Sequence, residues 1–206
     1  MRVLVACEYS GRVRDAFIKV GHDAMSCDLL ETESPGPHYR GDVRDLLIPD
    51  AWDLMIAHPP CTYLSVSGMH WTARGLRDPK LTEDALDFVR VLINAPVKRI
   101  AIENPRSIIS TRIRKKDQSI QPNQFGGDAS KDTWLWLKNL PLLVSTMNVL
   151  PRIVEYPVGS GKTVKRWANQ TDSGQNKLGP SADRWKLRSE TYPGIADAMA
   201  AQWGAL

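Results

Sequence analysis

Apolar residues in this chain fall into short runs closed by turn residues, and between them lie stretches with helical spacing. Residues 2–7 form a β-prone run followed by the Ser10-Gly11 turn. Over 12–20, Val13, Phe17 and Val20 recur on one face, which predicts a helix that Gly21 ends. A second strand is expected over 22–27, ending at Asp28, and Tyr39-Arg40-Gly41-Asp42 reads as a turn leading into 43–47. The run 52–57 predicts a buried strand closed by Pro59-Pro60. Thr82 is expected to cap a helix with Glu83 and Asp84 in its first turn and Leu86, Val89, Val91, Leu92 and Ile93 on its apolar side. Residues 98–102 predict another buried strand before Glu103-Asn104-Pro105, and 133–137 the last one. Strands alternating with helices predict an α/β fold, a mostly parallel sheet with helices on both faces.

In such sheets ligands bind beyond the carboxyl ends of the strands. Polar residues gather at those ends here: Glu8-Tyr9-Ser10-Gly11, Asp28, Asp42, Pro60-Cys61 and Glu103-Asn104. The stretch AHPPCTYLS, residues 57–65, is the most specific of them. Proline fixes its own φ and biases the preceding residue toward extended backbone, so Pro59-Pro60 holds Cys61 in a stiff turn before any side chain packs. A lone cysteine is most often an inert small hydrophobe. At a strand end surrounded by carboxylates, it becomes a candidate nucleophile. Asp28 is placed to accept hydrogen bonds from a ribose, and Asp42 to accept one from an adenine amino group.

Composition narrows the setting. The 206 residues suit one domain with a full core, alone or with a small insertion. No window approaches the roughly 20 apolar residues of a membrane span. The opening MRVLVACEYSG turns polar too soon for a secretory signal. Cys7, Cys27 and Cys61 are odd in number and form no CxxC pair, so neither a disulfide framework nor a metal site is expected, and a reducing cytoplasm is the expected location. The net charge of +4 allows an anionic partner, and basic residues cluster at 106–116 and 162–188. VGSGKT at 158–163 has the look of a phosphate loop, but Tyr156 stands where that motif requires its first glycine.

In order and spacing, these residues resemble the DNA cytosine-C5 methyltransferases, a family dependent on S-adenosylmethionine, in a small phage- or prokaryote-type form. The matching positions are the aromatic-Ser-Gly turn Tyr9-Ser10-Gly11, the acidic strand end Asp28, the turn Gly41-Asp42-Val43, the catalytic pair Pro60-Cys61 with Ser65 four residues on, and Glu103-Asn104 after an apolar strand. The resemblance implies a Rossmann-like class I methyltransferase fold, with Cys61, Glu103, Pro60 and Asn104 as the catalytic set. It implies that S-adenosylmethionine contacts Glu8, Tyr9, Ser10, Gly11, Asp28, Asp42, Val43 and Pro59. The chemistry accounts for the residue types. Cytosine C5 is a weak nucleophile, so a thiolate adds at C6 to activate it. A carboxyl group at the N3/N4 edge stabilises the adduct by protonating N3.

The resemblance covers most of 1–140 and 188–204, with departures. Thr62 replaces a usual glutamine and Pro105 a usual valine. The family's paired arginines after a Tyr-Gly turn fall on Lys131 and Thr133, following Phe125-Gly126. A lysine can still meet a phosphate, whereas threonine cannot replace a guanidinium fork. Thr191-Tyr192-Pro193-Gly194 and the helix after it resemble the family's closing helix.

The expected organisation is a catalytic domain over 1–144, a small basic insertion over 145–187 and a C-terminal helix over 188–206 packing back on the first part. Ser65, Lys131, Lys162, Lys165 and Arg166 are the candidate contacts to nucleic acid, with Trp167 and Trp185 as stacking platforms. The expected partner is DNA, single-stranded or distorted because flipping a base out of a duplex costs a few kcal/mol. RNA, a free cytosine nucleotide, or a non-catalytic nucleic-acid-binding role are the alternatives, and monomer and homodimer are both open.

Overall fold

A computed structural model describes residues 1–206. Seven strands form one sheet: β1 (Arg2–Ala6), β2 (Asp23–Asp28), β3 (His38–Arg40), β4 (Leu54–Ala57), β5 (Arg99–Pro105), β6 (Gln118–Ile120) and β7 (Thr133–Lys138). Their spatial order is β3-β2-β1-β4-β5-β7-β6. β1 to β5 pair in parallel, and β7 alone runs against its neighbours β5 and β6.

Alternation along the strands divides the core into two layers. Val3 and Val5 of β1, Leu54 and Ile56 of β4 and Leu135 of β7 face one side. There they meet Val13 and Phe17 of α1 (Arg12–Lys19) and Ile195, Met199 and Trp203 of α6 (Pro193–Trp203). Leu4, Met55, Ile100, Ile102 and Trp136 face the other side, against Leu86, Val89 and Leu92 of α3 (Pro79–Ile93) and Ile109 of α4 (Ile109–Arg112). The central strands are covered on both faces, which is why they read as unbroken apolar runs.

Several local expectations are corrected. α3 starts one turn before Thr82: the Asp78 side chain accepts the Lys80 N–H at 2.9 Å, and Pro79 takes the first turn, where its missing N–H costs nothing. Thr82 is buried inside the helix, while Val91 lies off the 86/89/92 stripe and is exposed. Val20 is also exposed, because α1 ends at Lys19 and the chain reverses through Gly21 at φ +89°. Residues 38–40 are not a turn but the edge strand β3, and Val43–Leu46 is a 3₁₀ turn capped by Asp42. The short strand β6 and helix α4 carried no periodicity that would have announced them.

Residues 145–187 contain a separate antiparallel pair, β8 (Arg152–Glu155) and β9 (Thr163–Arg166), and the start of α5 (Arg184–Ser189), which runs past their end; a short α2 (Met69–Ala73) precedes α3. VGSGKT is the tip of this hairpin and runs into β9, not into a helix. The segment is tied to the main body by Asn169, whose side chain accepts the Ser130 N–H at 3.0 Å and donates to the Ser130 carbonyl at 2.9 Å. No helix is long and apolar enough to cross a membrane.

Candidate active site

A cavity of about 660 Å³ opens at the carboxyl ends of the parallel strands. Its floor comes from Cys7–Ser10 after β1, Asp28 and Leu30 after β2, His58–Thr62 after β4 and Glu103–Pro105 at the end of β5. Its roof comes from the later segment: Asn169, Asn176, Leu178, Trp185 and Leu187–Tyr192. Neighbours of β1 diverge here, β2 on one side and β4 on the other, which is where doubly wound sheets leave a crevice.

The structure brings Cys61 and Glu103 into this one cavity. The turn carrying Cys61 is fixed at both ends. Asn104, itself buried, donates from Nδ2 to the Pro59 carbonyl at 2.7 Å. Beyond the cysteine, the Ser65 N–H bonds the Cys61 carbonyl at 2.9 Å, and the Val66 N–H bonds the Arg106 carbonyl at 3.0 Å. The loop is thereby fastened to the exit of β5.

Cys61 is the one exposed cysteine. Loss of solvent at the cavity wall and then the Glu103 charge push its thiol pKa up, while Lys131 and Arg188 pull it down. Cys7 lines the same cavity, but burial, followed by the Asp28 charge, holds its thiol far up and makes it inert. Burial also pushes the Glu103 carboxyl up. The hydrogen bond and charge of His58, with Lys131 behind them, outweigh it and hold Glu103 below the usual glutamate range.

This balance predicts a measurable result. Alkylation of Cys61 by iodoacetamide should still be accelerating as pH rises above 9.0, because the thiol is pushed up from that value. Glu103→Gln should accelerate it at pH 7.5 by removing the opposing charge, and Arg188→Ala should slow it. Equal rates in all three proteins would contradict this electrostatic picture.

Of the positions expected to hold a cofactor, Glu8, Tyr9, Ser10, Asp28 and Pro59 line the cavity. The Glu8 carboxylate is engaged by α1, accepting the Val13 N–H at 2.7 Å and the Arg14 N–H at 3.3 Å. Tyr9 spans floor and roof, its hydroxyl 2.9 Å from Ser189 Oγ and its ring 5.8 Å from that of Trp185. Asp28 accepts the Leu30 N–H at 3.0 Å. Gly11 lies behind the lining in the left-handed region at φ +73°, where a Cβ would strike the Arg14 guanidinium. Asp42 is not in the lining: its carboxylate is taken up by Arg44, whose hydrogen bonds hold its pKa down. Val43 beside it is core. The cavity volume is enough for a nucleoside-sized ligand, and Asp28 presents a carboxylate to it.

Among the expected nucleic-acid contacts, Ser65 and Lys131 line the cavity. Lys162, Lys165 and Arg166 lie on or next to β9 outside it, and Arg166 Nε donates to the Asp172 carbonyl at 2.9 Å. His58 and Arg188 also line the cavity and were not among the expected site residues. His58 stands directly before the proline pair, but its meaning depends on which strand lies beside β4. Arg188 belongs to a charge-rich stretch whose sequence does not say that it folds over the strand ends.

The strand order, with β7 alone reversed, decides the architecture. The fold is the Rossmann-like fold of class I methyltransferases. No protein-family model and no curated protein matches the chain. Among solved structures it is similar to one described as a DNA modification methyltransferase encoded within an Escherichia coli prophage, at 13% identity and a TM-score of 0.47, covering 72% of this chain and 52% of that one. It is similar also to the Entamoeba histolytica methyltransferase EhMeth, at 17% identity and a TM-score of 0.49, covering 73% of this chain and 58% of that one. An Escherichia coli rRNA methylase matches at 14% identity and a TM-score of 0.35, covering 66% of this chain and 56% of that one. The chain thus spans little more than half the length of each.

Proposed function

We propose that this protein methylates C5 of cytosine in DNA with S-adenosylmethionine as donor. The observation that supports it most is the meeting, in one cavity, of a nucleophile on a doubly proline-stiffened turn and a buried carboxylate on the adjacent strand end. When bound, the cofactor supplies an electrophilic methyl group. The Asp28 side of the cavity anchors it, and the rest of the cavity takes the base.

Cys61 adds to C6 of cytosine, and Glu103 meets the N3/N4 edge, so that the charge pushed into the ring is neutralised as the bond forms. Asn104 acts at one remove, holding the Pro59 carbonyl and with it the angle at which the thiol is presented. Lys131 and Arg188 supply positive charge beside the thiol, and both are placed to meet a phosphate next to the target nucleotide. Lys162, Lys165 and Arg166 extend that basic surface along the hairpin, giving a salt-dependent and weakly sequence-specific grip. A base must reach Cys61 unstacked, which favours single-stranded or distorted DNA. We infer a catalytic part over 1–144, a basic substrate-facing part over 145–187 and a closing helix over 188–206.

The cofactor assignment predicts an asymmetry between two aspartates. Asp28→Ala should weaken S-adenosylmethionine binding by about 2 kcal/mol, the range for a hydrogen bond to a charged group. Asp42→Ala should change it little, since Arg44 already occupies that carboxylate. Calorimetry on both variants measures this, and the reverse order would move the adenosine end toward Asp42. Labelled methyl transfer to single-stranded DNA, duplex DNA, RNA and dCMP, run in parallel, tests the substrate class.

A further inference from the structure

The pairing that builds the site also sets an imidazole against the key carboxylate. Ala57 is in register with Ile102 across β4 and β5, so the next residue on each strand, His58 and Glu103, meet at the cavity floor. His58 Nδ1 lies 2.9 Å from Glu103 Oε2, and the two side chains are only 10% and 11% exposed. The other ring nitrogen, Nε2, is buried without a hydrogen-bond partner. The backbone N–H of His58 continues the sheet by bonding the Ala6 carbonyl at 2.9 Å, a contact any non-proline residue would make. The fold therefore does not require an imidazole here.

The charged groups around the ring are few. Glu8, buried and bonded to the start of α1, is acted on by the His58 charge from the β1 side. Glu103 faces the ring from β5, with Lys131 acting on it from beyond, and Arg14 lies behind Glu8. Glu103 and Glu8 are the acidic groups beside the ring: burial pushes the Glu8 carboxyl up, while the hydrogen bond to His58 holds Glu103 down. A glutamate held as a carboxylate by such a partner has no proton of its own to give. Cytosine needs one at N3 at the moment the thiolate adds.

We propose that His58 holds the proton that Glu103 passes to N3 of the target base, a role that rests on the cytosine-C5 reading above. In the addition step the Cys61 sulfur lone pair forms the S–C6 bond. The C5=C6 π pair moves to C4–C5, and the C4=N3 π pair becomes a lone pair on N3. N3 takes a proton through the Glu103 carboxyl, which is refilled from His58 Nδ1–H, leaving a neutral imidazole and an ionised Glu103. On elimination the C6–S bond breaks and the N3 proton returns by the same route. No oxidant or reductant is involved, and His58 acts through Glu103 as a positioning and proton-holding residue.

His58→Asn separates the two roles, because the asparagine amide can keep the hydrogen bond to Glu103 but cannot carry the proton. Reversible addition at C6 releases the C5 hydrogen to water without any methyl donor. Exchange of tritium from [5-³H]cytosine in single-stranded DNA therefore reads addition, proton uptake and loss at C5, and elimination, apart from methyl transfer. It is run from pH 5.5 to 9.5 for wild type and H58N, beside methyl transfer with the cofactor present. Wild-type exchange should rise with pH and level off before Cys61 has ionised. H58N should be slower by about 100-fold near neutrality, the usual worth of a positioned acid. Its KM for DNA should stay within about twofold, and its exchange should keep rising until Cys61 has ionised.

Equal rates and profiles in the two proteins would overturn the role of His58 while leaving the cytosine reading intact. Wild type that neither exchanges nor methylates cytosine in any substrate would overturn that reading and the proposal with it. If H58N fails to fold, the wild-type profile still decides: exchange that climbs without levelling until Cys61 ionises overturns the proposal.

Discussion

Cys61→Ser should abolish methyl transfer while leaving cofactor affinity unchanged. Serine keeps the turn, since the backbone of Pro59-Pro60 and the Asn104 clamp set it without the sulfur. Its hydroxyl stays protonated in a cavity where even the thiol pKa is already pushed up by lost solvent and the Glu103 charge. The expected loss is about 10⁴-fold or more, because covalent activation of C5 disappears altogether. Asp28 and Tyr9, which line the cavity from the ends of β2 and β1, are untouched, so calorimetry should give a wild-type affinity for S-adenosylmethionine. Loss of that affinity together with activity would make Cys61 a structural residue.

The second large effect is on stability. Arg14 is a fully buried guanidinium on α1. It donates to Asp15 at 2.7 Å, to Ser26 Oγ at 3.1 Å, to Thr32 Oγ1 at 3.2 Å and to the Ser34 carbonyl at 2.9 Å. These bonds gather the loop after β2, and Gly11 and Gly36 leave room for the guanidinium. Arg14→Met keeps most of the volume but removes the one donor that Ser26, Thr32 and Ser34 share. A loss of about 3 kcal/mol is expected from urea unfolding, with weaker cofactor binding because the loop carries Leu30 into the cavity. A change below about 0.5 kcal/mol would show that water replaces the guanidinium without cost.

Much of this molecule is legible in its sequence, and the illegible parts share a physical reason. β1, β4 and β5 are buried on both faces, so composition alone marks them. β3 and β6 have three residues each and owe their state to pairing with β2 and β7, which no local pattern records. For α3, the Asp78-Pro79 start signal was present, but Thr82-Glu83 presented a competing one a turn later. Cys61 and Glu103 could be picked out because each sits at a strand end in a recognisable pair. The partnership of His58 with Glu103 could not, since it depends on β4 and β5 lying side by side in one register. Asp42 stood at the expected turn, yet Arg44, two residues on, competes for its carboxylate. The roof over the cavity comes from residues that the sequence marks as a basic, aromatic-bearing segment but does not place across the strand ends.

The most direct measurement is the identity of the modified base. The protein is incubated with S-adenosylmethionine labelled in the methyl group and with single-stranded DNA. The DNA is then digested to nucleosides, which are separated and weighed by mass spectrometry. The label is predicted in 5-methylcytosine, and it should be absent when Cys61→Ser replaces wild type. Label in N4-methylcytosine or N6-methyladenine, or in 5-methylcytosine formed equally well by Cys61→Ser, would contradict covalent catalysis through Cys61.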